Sequence, residues 1–398
     1  MSIRTVVTVV AAGGAASMAL GEFVPFLTSV SVEFDLSLTA VGLLSSAITL
    51  VAGLTCLPLG LWVDRYPLRG VFVAGLVALA VAGLAAPFAG GAAALFALRA
   101  IQAAGYALVV ITGPSLLARL LEGRSRQTAL ALWGLCVPSG LALAGAGGGL
   151  VPGWRAEVAG VGAITVVVAA LAWTLPRDAR PGRKVGSCAA RTNGRGSDQE
   201  ARREDGRVGS RRGPGTTWPV AALAAGFAMI ALVGVSVVTV LPAYLTAELG
   251  VPGSQASPLA GLVSAASVLG SLAAGAALRA GTRPGPLIIA ALLMMPLTAG
   301  VFLQAPVAVA TVCAAGVLAV NGLAVSAVFA ALPAVTGDRI AWGVGAVTQA
   351  GSLGTLLGAP TYLWVVEMGG WSWVTGLTSV IVTGGVCCAT AALGDRLR

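Results

Sequence analysis

Residues 38–89 read LTAVGLLSSAITLVAGLTCLPLGLWVDRYPLRGVFVAGLVALAVAGLAAPFA. Two apolar runs, 38–61 and 70–89, flank a short gap, and every charge in the stretch lies in that gap: Asp64, Arg65 and Arg69. Each run has the roughly 20 residues that carry a helix across a hydrocarbon core about 30 Å thick. A backbone crossing that core must satisfy its polar groups internally, which a helix does. The stretch is therefore a helical hairpin with its basic turn on one side of a bilayer.

The same pattern continues in both directions. Apolar residues make up 57% of the 398-residue chain and charged residues 10%, a composition suited to lipid rather than to a globular core. Twelve spans are expected, at 5–30, 38–61, 70–89, 92–120, 128–151 and 157–175 in the first half. The second half gives 218–247, 257–278, 286–303, 306–335, 342–366 and 371–393. Arg4, Arg65, Arg69, Arg119, Arg124, Arg126, Arg279, Arg283, Arg339, Arg396 and Arg398 fall in gaps on one side, while Glu33, Asp35, Glu157, Glu248 and Glu367 lie near the other. Arg155 is the exception on the acidic side. Positive charge resists translocation, so the arginine side and both termini are expected in the cytoplasm of a multi-pass plasma-membrane protein. The net charge of +9 then reflects topology and anionic headgroups rather than nucleic acid, which is not expected as a partner. Arg4 ahead of an apolar run resembles a secretory signal, but the run is too long, and its removal would leave an odd number of helices.

Between the halves, 176–217 is rich in Arg, Gly, Ser and Asp and poor in large apolar residues, as a cytoplasmic linker is. It divides the chain into an N-terminal six-helix bundle at 1–175 and a C-terminal one at 218–398. The halves look alike. Pro25 to Thr28 match Pro242 to Thr246, Gly42 to Ser46 match Gly261 to Ala265, and Trp133-Gly134 match Trp342-Gly343. Internal duplication of this kind is common in membrane transporters.

Several motifs carry a family resemblance. Gly60, three residues, then Asp64 and Arg65 with Arg69 beyond resembles the signature after the second helix of the major facilitator superfamily, although Pro67 stands where that family usually has Gly. Arg99, Gln102 and Gly105 resemble the family's fourth-helix motif, and Gly153-Trp154-Arg155 resembles a pattern before the sixth helix. Gly134, Pro138 and Gly140 partly match the Gly-Pro motif of the family's antiporters, and Trp133-Gly134 through Pro138 also resembles cyanate-type permeases; close packing and a bend account for these residues equally. The resemblance covers the whole chain and implies an all-α fold of two pseudo-symmetric six-helix bundles that works by alternating access; a monomer is expected. Gly60, Asp64, Arg65 and Arg69 would form a latch at the cytoplasmic mouth, where a solvated turn is the alternative.

Glu22 and Arg99 are the ionisable residues well inside the spans. At about 1.5 Å per residue, both lie roughly 11–12 Å below the outer ends of their helices, so they share a depth. A central charge costs about 2.5–3.5 kcal/mol on insertion scales and needs a partner or a wet cavity. Glu22 is therefore expected to exchange a proton, paired with Arg99 when ionised, unless the two form a permanent structural pair. Phe23, Phe26, Gln102, Tyr106, Ser236, Thr239, Asn321 and Gln349 are candidate lining for a substrate cavity, with bonds between helices as the alternative for the polar ones. The chain has no His, no P-loop and no CxxC pair, so no metal, cofactor or enzymatic activity is expected. Proton-coupled export of a small amphipathic drug or metabolite is the leading expectation. Uptake of a small organic anion at an unpaired Arg99 and a non-transporting sensor remain open.

Overall fold

The computed structural model describes residues 3–36, 38–63, 65–147, 150–176, 217–303, 305–337 and 339–394. Those residues are helical almost throughout and group into the twelve expected crossings. In the first half these are α1 (Ile3–Gly21) continued by a 3-10 turn (Val24–Phe26) and α2 (Leu27–Phe34); α3 (Leu38–Val63); α4 (Leu68–Ala85); α5 (Ala92–Leu120); α6 (Gly123–Trp133) with α7 (Cys136–Gly147); and α8 (Trp154–Trp173). In the second half they are α9 (Trp218–Ala247); α10 (Gly253–Ser264) with α11 (Ala266–Arg279); α12 (Pro284–Ile289) with α13 (Met294–Phe302); α14 (Val307–Thr336); α15 (Ile340–Gly369); and α16 (Trp371–Leu393). Eleven crossings are apolar enough to be recognised by hydropathy alone. The twelfth, α15, is 30 residues long but diluted by Thr348, Gln349, Ser352 and Thr355 and by glycines.

Proline sets some of the interruptions. It lacks the N–H that a helix gives to the carbonyl four residues back, and its ring crowds that carbonyl. Pro138 removes the partner of the Gly134 carbonyl, and the fifth crossing breaks there, with Gly134 and Leu135 closing short bonds to Ala131 and Leu132. Pro25 stands in the same relation to Gly21, where α1 ends. By contrast Pro58, Pro114, Pro242, Pro333 and Pro360 are carried inside continuous helices.

Within the first bundle α1 packs on α5, α7 and α8, and α4 fits between α5 and α8. Within the second, α9 packs on α14, α15 and α16. The bundles meet where α3 lies against α15 and where α6 reaches α11 and α14.

This meeting shares its apolar core at the arginine-flanked end, and α7 also touches α10 and α11. One apolar core there merges Val63, Leu117 and Trp133 of the first half with Phe227, Leu332, Val344 and Leu393 of the second. Towards the other end each half keeps a separate core, one around Phe23, Leu44 and Trp154, the other around Val240, Tyr244 and Val317. Backbones approach closely at the shared end: a Cβ on Gly60 would lie 2.6 Å from the Ala341 carbonyl oxygen, and one on Gly345 would strike the Cys56 carbonyl. Gln349 Oε1 crosses the same seam to accept a hydrogen bond from Leu57 N at 2.8 Å. The molecule is shut at the arginine end, and towards the other its halves keep separate apolar cores.

Candidate functional site: a buried ion pair at a helix break

The break after α1 creates the site. Glu22 N donates to Met18 O at 3.0 Å, completing the last turn, and the chain then leaves the helix through Glu22 and Phe23. A helix end has carbonyls without partners inside the helix, and it favours a cation. Arg99 of α5 serves both needs, its Nη1 donating to Ala19 O at 2.8 Å. The same Nη1 donates to Glu22 Oε1 at 2.9 Å and to Gln102 Oε1 at 3.1 Å, and Nε donates to Leu44 O of α3 at 3.0 Å. Gln102, one turn along the same face as Arg99, returns a bond from Nε2 to Glu22 Oε1 at 2.9 Å. The Phe23 ring lies 4.9 Å from the guanidinium carbon, a cation–π contact.

Glu22 is 0% exposed, Arg99 1% and Gln102 2%. Taking two charges out of water costs several kcal/mol per ion, and their attraction repays this only when the remaining hydrogen-bonding positions are filled. Arg99 meets that condition well. Glu22 does not: Oε1 accepts two bonds, while Oε2 is buried with no partner among the described residues.

Glu157, near the start of α8, is a third charged group buried in this half, although its position in the sequence suggested the membrane face. The signal was its place three residues after Trp154, which faces inward to pack 5.8 Å from Phe23. At the acidic end, Arg155 forms an ion pair with Glu33, and Trp154 Nε1 donates to Glu33 Oε2 at 2.8 Å.

The other candidates are scattered. Phe23, Gln102 and Tyr106 are buried inside the first bundle, and Phe26 is half-buried beside Phe23. Ser236 donates to Leu232 O of its own helix and faces Gly358 of α15, so it lies in a helix contact. Asn321 Nδ2 donates to Ile230 O at 2.7 Å and packs over Gly234, tying α14 to α9. Gln349 is spent on the seam with α3. Thr239 is exposed, its hydroxyl bonded to Val235 O.

Of the latch residues, Gly60 stands at the α3–α15 approach, Arg65 is exposed, and the Arg69 guanidinium lies 5.3 Å over the Trp173 ring of α8. Asp64 lies outside the described residues, as do 177–216 of the linker. At the bend, Gly134 faces Ser326 of α14 so closely that no Cβ fits, and Gly140 packs on Ser17 of α1.

The sequence model of the Major Facilitator Superfamily matches residues 6–341. No curated protein matches the sequence. Among solved structures the fold is similar to the human organic anion transporter MFSD10 (TETRAN), with 14% identity and TM-score 0.75 over 97% of this chain and 99% of that one. It is similar to the proton:xylose symporter XylE bound to 6-bromo-6-deoxy-D-glucose, with 17% identity and TM-score 0.72 over 99% and 95% of the two chains. The transporter FucP in its outward conformation gives 16% identity and TM-score 0.76 over 98% and 99%. At these identities the likeness speaks for the fold.

Proposed function

The chain belongs to the Major Facilitator Superfamily and is a multi-pass membrane transporter of small molecules, and on that premise we propose that it is a proton-coupled exporter of small amphipathic compounds, working as a monomer in the plasma membrane with both termini in the cytoplasm. The arginine-flanked end is then the cytoplasmic mouth, and the structure is the outward-facing state. The bundles at 1–175 and 218–398 rock about this seam, and 176–217 is the cytoplasmic linker between them.

One observation carries the coupling: the unpartnered Oε2 of Glu22 in a sealed cluster with Arg99 and Gln102. A proton arriving from outside neutralises Glu22 and removes the attraction that joins α1 to α5, favouring the rearrangement that opens the cytoplasmic mouth. Loss of that proton inside restores the pair, and substrate leaves as the protein returns. Gly60 lets α3 and α15 close the mouth in the outward state, Arg69 braces α4 on Trp173 of the same bundle, Thr239 and Phe26 stay at the margin of the cleft, and Gly134 with Pro138 lets the fifth crossing flex. An uptake route for organic anions needs a guanidinium free for the substrate, and Arg99 is here engaged by Glu22.

The test uses proteoliposomes and a lipophilic dye such as ethidium. Wild type is expected to move the dye against its gradient when a proton gradient is imposed, and Glu22→Gln to lose that drive while keeping counterflow. Full gradient-driven transport by Glu22→Gln removes Glu22 from the coupling. Absence of counterflow in the wild type across a compound panel marks a sensor rather than a carrier. Cellular accumulation instead of resistance reverses the direction.

A further inference from the structure

A second site lies at the arginine-flanked end, away from the ion pair. The seam between α6 and the second bundle holds a cavity of about 320 Å³, walled by Arg126 and Gln127 of the first half and by Arg283, Ala330, Pro333 and Leu393 of the second. Just beyond it, the Arg124 guanidinium lies over Gly281, 3.4 Å from where a Cβ would stand. Three arginines thus converge on one seam, and none of the described residues lining the cavity is acidic. Glu122, which precedes α6, is exposed and outside the lining; Asp338 and Asp395 lie outside the described residues. Arg126 Nε is buried with no hydrogen-bond partner among the described residues. A buried guanidinium N–H without an acceptor is a donor in want of an anion.

We propose that this cavity binds a phosphate-bearing anion, held by Arg126 and Arg283, which ties the two bundles together and stabilises the state closed at the arginine end. Arginine forks match phosphate oxygens in pairs, and basic pockets between helices at the cytoplasmic membrane surface suit lipid headgroups. The wall is two-faced: arginine on one side, Ala330, Pro333 and Leu393 on the other, which a phospholipid matches with headgroup and acyl chain. An anion seated here touches both halves beside their apolar contact of Ala131 with Leu278 and Ala330. Opening that end separates Arg126 from Arg283 and dissolves the site, so ligand and closed state favour one another.

The test reads binding rather than transport. Full-length protein is unfolded thermally in nanodiscs of neutral phosphatidylcholine, in nanodiscs containing phosphatidylglycerol, and in neutral nanodiscs titrated with inorganic phosphate against chloride at equal ionic strength. The wild-type midpoint is expected to rise with the anion. Arg126→Gln/Arg283→Gln should weaken the apparent affinity by roughly tenfold or more, and Arg4→Gln, exposed at the same end, should keep the full rise. A rise with phosphatidylglycerol alone identifies a headgroup; an equal rise with phosphate identifies a free anion. Should the double variant fold poorly, alkylation of Ala334→Cys at the cavity rim reads occupancy in an intact arginine background, with protection by the anion expected. No rise in the wild type, a full rise in the double variant, an equal loss in Arg4→Gln, or no protection of the cysteine each overturns the proposal.

Discussion

The two halves place a proline at matching positions and treat it differently. Pro25 follows a break at the end of α1, whereas Pro242 sits inside α9, which runs 30 residues without interruption. Three residues before each proline stand Glu22 and Thr239. In the first half Arg99 supplies the Ala19 carbonyl with a donor from outside the helix, so the backbone is free to leave. In the second half no charge is buried among the described residues, and the polar groups Ser236, Asn321 and Thr378 bond to backbone carbonyls. The buried charge cluster thus lies in the first half, and a proline breaks a membrane helix where something else satisfies the freed backbone.

The largest expected effect comes from removing half of the pair. Arg99→Leu leaves a buried carboxylate alone and should cost about 3–5 kcal/mol, while Glu22→Leu/Arg99→Leu should recover most of that loss. Thermal unfolding of both variants in one nanodisc composition checks this; equal losses would show that the pair is not what the first bundle depends on.

Next come the prolines. Pro242→Ala returns a hydrogen bond to an intact helix and should stabilise by about 1–3 kcal/mol. Pro25→Ala loosens a segment already outside the helix and should destabilise by about 0.4–1 kcal/mol. Shifts of the same sign would mean that the cluster does not set the break. Smaller again is Asn321→Leu, which removes the bond that ties α14 to the Ile230 carbonyl of α9 at a cost of about 1 kcal/mol, measurable by the same unfolding assay and expected below that of Arg99→Leu.

The smallest effect lies at the acidic surface. The Arg155 hydrogen bonds, with a lesser contribution from Trp154, hold the Glu33 carboxyl below its usual range against a slight desolvation. A depressed carboxylate stabilises the fold above its unfolded pKa, and that contribution disappears as pH falls through the lowered folded value. The pair is partly exposed and screened by salt, so the contribution should stay below about 1 kcal/mol. Wild type should therefore lose slightly more stability than Glu33→Gln between neutral and acid pH, and salt should shrink the difference.

Much of this was legible in the chain. Run lengths gave all twelve crossings, including α15, whose thinner hydropathy is compensated by its place against α3 and α9. Counting the rise per residue put Glu22 and Arg99 at one depth, and they meet. Pattern gave no way to tell which polar residues face a cleft. Ser236, Asn321 and Gln349 each carry the signal of a substrate contact, yet each is bonded within its own bundle or across the seam. A lone polar residue in a span has the same sequence signature whether it meets a ligand or a neighbouring backbone.

Composition along the chain fixes what depends on transfer from water to lipid, a quantity summed residue by residue: the number of crossings, the basic and acidic ends, and the depth of the two buried charges. Folding adds what depends on which groups touch: the closed end, the helix break that lets Arg99 bond Ala19, the unpartnered oxygen on Glu22, and the arginines gathered from two bundles onto one seam. Those contacts join residues far apart in the chain, and no local run of amino acids encodes them.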